Sequence, residues 1–142
     1  MYAVVRVRGS VNMRKPLKDT LRMMRLTKVN HCVLIRKDPK LEGMIKKVKD
    51  FVTWGEIGDK TLENLISKRG RMLGDKILDE KEVRSVLAKL KKSGNIKEIE
   101  GFKPVFRLSP PKKGFEGIKQ AFPKGALGYR REKINELLER MM

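Results

Sequence analysis

The hydrophobic positions in residues 1–57 follow two periods in turn. Apolar and other side chains alternate over residues 1–8, which predicts a half-buried strand with Arg6 and Arg8 on its outer face. The nearly continuous apolar run at residues 30–35 is typical of a central strand, and residues 52–57 predict a shorter third strand. The two stretches between these strands carry apolar residues at helical spacing instead.

Two helices are predicted between the strands. The first begins at Lys15-Pro16, because proline at the first helical position gives up no hydrogen bond. Its apolar stripe consists of Leu17, Leu21 and Met24. The second begins after Asp38, a residue suited to capping a helix, which is followed by Pro39. The order β-α-β-α-β indicates an α+β domain over residues 1–57, with two helices packed on one face of a small sheet.

Residues 58–108 predict a helical extension that ends in a hairpin. One helix is expected over residues 59–69, and Asp79 with Glu82 three residues later forms the capping-box pattern that opens another. The apolar residues 96–99, a short turn at Glu100-Gly101 and residues 102–108 then predict two paired strands.

Residues 109–142 predict an extended basic tail and a short terminal helix. Residues 109–131 are rich in proline, glycine and lysine and show no apolar period. Helical spacing returns at Ile134, Leu137, Leu138 and Met141. We therefore divide the chain into a domain at 1–57, an extension at 58–108 and a tail at 109–142. The domain is expected to stay folded when the tail is deleted.

The charge balance changes this picture from a small α+β protein to a binder of polyanions. The chain has 142 residues, enough for a real core, with 35 Lys and Arg against 17 Asp and Glu and a net charge of +18. Residues 1–57 carry a net charge of +9, residues 58–102 of +3 and residues 103–142 of +6. Nucleic acid is favoured over a membrane surface, because the basic tail contains no amphipathic helix of useful length.

Several other classes of protein are disfavoured. No apolar run approaches the ~20 residues of a membrane span, and Arg6 and Arg8 would interrupt any secretory signal. The single cysteine, Cys32, cannot form an internal disulfide, which fits a reducing cytosol. Its neighbour His31 points to the opposite face of a strand, so the two cannot form a nucleophile pair.

Motifs for metal or phosphate chemistry are also missing. The sequence contains no Cys-x-x-Cys, no His-x-x-x-His and no glycine-rich loop ending in Lys-Ser or Lys-Thr. We predict a non-enzymatic protein without metal, cofactor or small-molecule substrate.

Two basic features of residues 1–57 are candidate nucleic-acid contacts. The first predicted helix carries a second stripe, separate from the apolar one, and Asp19 is its only acid. This basic stripe consists of Lys15, Lys18, Arg22 and Arg25. The loop after the first strand offers hydroxyl, amide and guanidinium donors beside Gly9, where the backbone can approach a partner closely. Together with the strand end and the second helix, it adds the candidates Arg6, Arg8, Ser10, Asn12, Arg14, Lys46 and Lys47.

The tail is a third candidate, because it interleaves aromatic and cationic residues. Aromatic rings along an extended chain suit stacking on unpaired bases, while the cations neutralise phosphates. The rings are Phe115, Phe122 and Tyr129, and the cations are Lys112, Lys113, Lys119, Lys124, Arg130 and Arg131.

Four segments together resemble a known family. They are YAVVRVRGSVNMRKPLKDTLRMMRL, NHCVLI, LEGMIKKVKDFVTWGEI and FPKGALGYRREKINELL. They are similar to the universal large-subunit ribosomal protein family numbered thirty, in its archaeal form, whose eukaryotic relatives are numbered seven. The resemblance implies a core at 1–57 that is shared with the short bacterial form, with a three-stranded antiparallel sheet. It also implies that residues 58–142 are the extension found in archaea and eukaryotes.

The resemblance further implies a function and a set of contacts. The protein would be a structural constituent of the large ribosomal subunit in the cytoplasm, binding large-subunit rRNA beside neighbouring ribosomal proteins. In the opening motif, the residues that would face rRNA are Arg6, Arg8, Ser10, Asn12 and Arg14. In the late motif, the residues of an rRNA-contacting tail would be Lys124, Gly125, Tyr129 and Arg130.

One alternative of a different class stays open at this point. A helix followed by a hairpin at residues 75–108 has the layout of a winged-helix unit, which would make the protein a DNA-binding regulator. The cations that would then read a major groove are Lys81, Arg84, Lys91 and Lys92.

Overall fold

One five-stranded sheet organises the chain, and the structure, a computed structural model, describes all 142 residues. The strands are β1 (Tyr2–Arg6), β2 (His31–Ile35), β3 (Val52–Glu56), β4 (Val105–Arg107) and β5 (Gly128–Tyr129). Their order is β4-β2-β1-β3-β5, and every pair is antiparallel except β3 and β5. The three central strands all come from residues 1–57, which confirms the antiparallel sheet that the resemblance implies. Later residues add one strand at each edge.

Five α-helices connect or follow these strands, close to where the sequence predicts them. They are α1 (Lys15–Met23), α2 (Pro39–Lys47), α3 (Asp59–Arg69), α4 (Glu80–Ser93) and α5 (Ile134–Met141). The predicted caps are present: the Asp38 carboxylate accepts a hydrogen bond from the Lys40 backbone N–H at 3.0 Å. The Asp79 N–H donates to the Glu82 carboxylate at 2.9 Å.

Helices cover both faces of the sheet, so the fold has three layers. The first face packs on α1 and α2 through Val4, Val33, Val52, Leu21 and Ile45. The opposite face packs on α3, α4 and α5, and its strand residues are Ala3, Val5, Cys32 and Leu34. The prediction of two helices on one face is confirmed for residues 1–57, and the second helical layer comes from the rest of the chain.

Because of the second layer, the prediction that β1 is half-buried is wrong. Ala3, Val4 and Val5 have no exposed surface, and Arg6 is only 2% exposed. The Arg6 guanidinium donates to the carbonyl oxygens of Leu26 at 2.8 Å and Arg8 at 2.9 Å, and to the Ser10 hydroxyl at 2.6 Å. Arg6 therefore lies inside the protein with its donors paired, and not on an outer face.

The predicted hairpin at residues 96–108 is also wrong. Residues 96–98 form a single 3₁₀ turn, Ile96–Glu98, and β4 pairs with β2 instead. The reason is that the edge of β2 is free in the core domain and needs a partner for its backbone groups. The apolar residues of the segment become part of the core instead of a surface wing; they are Ile96, Ile99, Phe102 and Phe106. Without its wing, the DNA-binding alternative loses the structural feature that supported it.

The tail is folded, contrary to the prediction of an extended segment. Its turns are closed by backbone hydrogen bonds, including Gly125 to Ala121 at 2.9 Å, and Arg130 N–H donates to the Trp54 carbonyl at 2.8 Å. The tail crosses β3 at Gly55, where a Cβ would lie 2.1 Å from the Arg131 carbonyl oxygen. Glycine is therefore required at this position for steric reasons.

The helix at the end of the tail completes the core. Its four fully buried residues, which belong to the same cluster as Ala3 and Val5, are Ile134, Leu137, Leu138 and Met141. Deleting residues 109–142 would uncover the part of the core that α5 covers, which counts against the expectation from sequence that the domain stays folded. The role of the tail must therefore be tested with point substitutions.

This packing predicts that α5 is needed for stability. Leu137→Ala removes a side chain that is 1% exposed and should lower the free energy of unfolding by about 2–5 kcal/mol. Urea denaturation followed by circular dichroism measures the effect. Glu139→Ala, on the exposed side of the same helix, is the control and should change stability by less than about 0.5 kcal/mol. Equal stabilities of the two variants would contradict the assignment of α5 to the core.

Candidate nucleic-acid interface

Cations that are distant in sequence lie together at one end of the sheet. β1 and β4 finish at this end while β2 and β3 start there, as the pairs Arg6 with Val52 and His31 with Arg107 show. α1 ends close by, because the Leu26 carbonyl accepts from Arg6, and the turn after α2 is hydrogen-bonded to the end of β1. We call this region the basic end; its exposed or half-buried cations include Arg8, Arg25, Lys46, Lys47 and Arg107.

The basic stripe of α1 is fully available to a partner. Leu21 and Met24 on the apolar side are 1% and 6% exposed, which confirms that the two stripes are separate. The basic stripe is exposed along its whole length and takes part in no ion pair. Lys15, Lys18 and Arg22 lie on α1, whereas Arg25 follows the end of the helix with a φ of +62°. Four neighbouring cations without acid partners repel one another, and an anionic partner removes this repulsion.

The loop at residues 9–14 is held from inside by Arg6. The Arg6 guanidinium binds Arg8 and Ser10, and Met13, which is 7% exposed, fixes the far side of the loop in the core. Asn12 has a φ of +57°, a conformation that asparagine tolerates. The loop thereby presents Asn12 and Arg14 at the surface, whereas Arg6 and Ser10 are engaged with each other.

Arg8 and the second helix supply further cations. The Arg8 guanidinium lies 5.3 Å from the centre of the Phe51 ring, which holds it in place at the basic end. Lys46 and Lys47 are exposed in the last turn of α2. Cations in this position also interact favourably with the carbonyl end of the helix dipole.

A basic groove joins the α1 stripe to the edge strand β4. It has a volume of about 400 Å³, and its charged lining residues are Arg22, Arg25, Lys103 and Arg107. A second groove beside it, of about 280 Å³, shares the last two and adds Arg69 and Arg71. Sequence reasoning missed Arg69, Arg71, Lys103 and Arg107. The first two belong to a segment of low net charge, and the last two lie in the segment that was predicted to form a hairpin. Only the pairing of β4 with β2 brings them beside α1.

His31 lies in this groove as a neutral side chain. Burial lowers its pKa, and the cations Lys28, Arg107 and Arg6 lower it further. Its neighbour Cys32 is fully buried, which raises the pKa of the thiol to about 12. The Cys32 thiol therefore lacks the properties of a catalytic nucleophile.

The tail places its cations and its rings differently. The exposed cations are Lys112, Lys113, Lys119, Lys124 and Arg131. Phe115 packs against Val7, Ala126 and Leu127 at the end of β1, and Phe122 lies under the Arg130 guanidinium at 5.4 Å. Both rings are half-buried and pack against the protein, whereas the sequence suggested that they stack on unpaired bases along an extended chain.

Tyr129 combines an internal contact with partial exposure. Its ring stacks on Trp54 with centroids 6.0 Å apart and meets Tyr2 edge to face at 6.2 Å, yet 41% of the residue is exposed. One side of this ring therefore supports the β3–β5 edge while the rest faces solvent.

Gly125 and Arg130 serve the fold of the tail itself. A Cβ on Gly125 would lie 2.1 Å from the Gln120 carbonyl oxygen, so the turn requires glycine there. Arg130 donates to the Thr53 hydroxyl at 2.9 Å and the Ala126 carbonyl at 3.0 Å, and its burial lowers the pKa of the guanidinium. Like Arg6, Arg130 positions other residues.

Two other kinds of site are not found in the structure. No group of three or more His, Cys, Asp or Glu residues is placed to hold a metal ion. None of the helices has the length and apolar character required to cross a membrane.

Known proteins are similar to this chain along its whole length. A family model described as ribosomal protein L30p/L7e matches residues 2–52, which contain β1, α1, β2, α2 and the start of β3. The chain is 51% identical to large ribosomal subunit protein uL30 of Methanococcus vannielii, with 99% of each chain covered. The corresponding proteins of Methanoregula boonei and Methanosphaera stadtmanae are 46% and 41% identical, over 99% and 100% of each chain.

These relatives are archaeal and match the chain from end to end, so the similarity includes the folded tail and α5 as well as the core. The family is one of ribosomal structural proteins and not of enzymes. The chain therefore belongs to the L30p/L7e family of ribosomal proteins, in its archaeal form.

Proposed function

We propose that this protein binds large-subunit rRNA as a structural constituent of the large ribosomal subunit. The observation that carries the proposal is the exposed basic stripe of α1, which has no acid partners and continues into a groove of about 400 Å³ lined by further cations. Membership of a ribosomal protein family supports RNA as the polyanion.

The geometry favours recognition of the RNA backbone over recognition of bases. Two of the three tail rings pack against the protein, so few aromatic surfaces remain for stacking on bases. The exposed groups of the interface are ammonium and guanidinium ions, which bind phosphate oxygens. The protein would thus fit the shape and charge of folded rRNA helices.

The residues proposed to contact RNA are not identical to the candidates that the sequence suggested. Direct phosphate contacts are assigned to the exposed or half-buried cations of α1, the loop, α2 and the tail, with Asn12 and the exposed part of Tyr129 beside them. The groove adds Arg69, Arg71, Lys103 and Arg107. Three other candidates, Arg6, Gly125 and Arg130, support this surface from within, and the exposed Ser10 accepts a hydrogen bond from Arg6.

The protein would act in the ribosome, in the cytoplasm, with neighbouring ribosomal proteins as further partners. Three apolar side chains, Leu73, Ile77 and Ile118, are 69%, 71% and 47% exposed. Their exposure is consistent with contacts to other proteins in an assembled particle.

The α1 stripe gives a direct test of rRNA binding. A variant with Lys15→Gln, Lys18→Gln and Arg22→Gln should bind in vitro transcribed archaeal large-subunit rRNA about two orders of magnitude more weakly at 0.1 M salt. The slope of log affinity against log salt should fall by about 2–3, because each lost phosphate contact contributes roughly 0.7–0.9. Filter binding over a salt series measures both quantities.

The matched control is a variant of α4 with Lys81→Gln, Arg84→Gln and Lys92→Gln, which removes the same charge from another exposed helix face. It should keep most of the affinity and the salt slope. If both variants lose affinity equally, binding depends on net charge alone and the proposed interface is wrong.

Arg6 provides a second test, because its expected effect is indirect. Arg6→Lys keeps the charge but cannot reproduce three hydrogen bonds in a planar fork, so it should destabilise the fold by about 1–3 kcal/mol. The affinity for rRNA should fall as the loop loosens, while the salt slope stays unchanged. Arg14→Lys, at an exposed position of the same loop, should alter neither. A loss of rRNA affinity in Arg6→Lys without any loss of stability would show that Arg6 contacts phosphate after all.

A further inference from the structure

A tight hairpin between α3 and α4 places a carboxylate on two cations of the basic grooves. Arg71 and Ile77 form an antiparallel bridge, and the residues at the tip, Gly74 and Asp75, have φ angles of +83° and +58°. One oxygen of Asp75, Oδ1, accepts hydrogen bonds both from Lys103 Nζ at 2.5 Å and from the Arg107 guanidinium.

Lys103 and Arg107 lie between the two grooves and are shared by both. Lys103 and Arg107 line the groove that contains Arg22 and Arg25, and they also line the neighbouring groove that contains Arg69 and Arg71. Of these cationic side chains, Lys103 and Arg107 alone form ion pairs, and both use the same oxygen of Asp75. A single internal carboxylate thus neutralises the middle of an otherwise unpaired basic surface.

We propose that Lys103 and Arg107 form a phosphate-binding site that Asp75 occupies in the free protein, and that an RNA phosphodiester displaces this carboxylate on binding. The proposal rests on the proposed function, since it concerns two cations of the same interface. It goes further in naming an acidic residue of the protein as a competitor of RNA.

A phosphate fits these cations better than the aspartate does. An arginine fork binds two oxygens of a phosphate in parallel, whereas here both cations share one carboxylate oxygen. Arg22 and Arg25 on the other wall of the groove add further positive potential for a polyanion, which a single aspartate leaves unneutralised.

Displacement of Asp75 disturbs little of the fold. The side chains of Asp75 and Arg107 are 55% and 59% exposed, and exposed ion pairs are weak because water screens them. Leu73 and Ile77 on either side of the tip are 69% and 71% exposed, so the tip can move without opening the core. The hydrogen bond from Lys103 lowers the pKa of Asp75, which keeps the carboxylate charged at neutral pH.

Asp75→Asn is the first variant of the test. Asparagine tolerates the left-handed backbone at position 75, so the hairpin is retained while its negative charge is removed. We expect this variant to bind in vitro transcribed archaeal large-subunit rRNA about two- to fivefold more tightly than the wild type at 0.1 M salt, the factor that one or two exposed ion pairs are worth. Glu63→Gln removes the same charge on α3, outside both grooves, and should give no comparable gain.

A double-mutant cycle separates competition from general repulsion. In a background with Lys103→Gln and Arg107→Gln, the gain from Asp75→Asn should disappear, because the site that it frees no longer exists. A gain that persists in this background, or that Glu63→Gln matches, would overturn the proposal. So would a loss of affinity in Asp75→Asn with unchanged thermal stability.

Two further readouts identify the ligand and separate this proposal from the proposed function. Polyglutamate serves as a probe for acidic protein segments; if Asp75→Asn increases binding of polyglutamate but not of rRNA, the site takes carboxylates and the proposal fails.

If the α1 variant leaves rRNA binding unchanged, the proposed function itself fails. Loss of binding in the α1 variant without a gain in Asp75→Asn refutes only the role of Asp75.

Discussion

The complete burial of β1 is the constraint on which the rest of this structure depends. The strand is paired on both edges and covered on both faces, so Ala3, Val4 and Val5 have no contact with water. A strand in this position requires helices on two sides, and the chain supplies the second layer from residues 58–142. At the end of the strand, the same burial forces Arg6 to satisfy its guanidinium internally, and these hydrogen bonds shape the loop that follows.

The large net charge of the chain is the second constraint on the fold, and it disfavours the compact state in which β1 is buried. A net charge of +18 disfavours a compact state through self-repulsion, and few acids offset it locally. Five ion pairs engage only five of the 35 cationic side chains. The fold tolerates this imbalance because its core is apolar and the cations lie outside it, apart from Arg6 and Arg130, whose donors are paired. An RNA partner would convert the remaining repulsion into binding energy.

Local patterns predicted the elements of residues 1–93 well, because helix starts and buried strands have strong local signals. Two helix starts are examples. Pro39 follows Asp38 and Glu82 lies three residues after Asp79, so the residues that mark each helix start are close together in sequence. The errors arose where a segment could pair with several partners. The apolar run at residues 102–108 predicts a strand in either case, but only the free edge of β2 decides that β4 joins the sheet.

The candidate site, too, could be predicted only where local sequence patterns determine it. The stripe of α1 could be predicted because residues three and four apart on one helix are neighbours in space. The burial of Arg6, the packing of Phe115 and Phe122, and the contribution of Lys103 and Arg107 could not, since each depends on segments that meet only in the folded protein. Net charge per segment was misleading for residues 58–102, because folding places Arg69 and Arg71 on the basic surface regardless of the acids elsewhere in the segment.

The position of α5 also bears on the order in which the protein folds. Its buried residues pack in the same cluster as Ala3 and Val5 of β1, although more than a hundred residues separate them in sequence. Contacts over such a separation form late, because the loop they close is long. During synthesis the side of β1 that α5 covers therefore stays exposed until α5 itself has been made. Over this period the nascent protein exposes apolar strand surface that chaperones recognise.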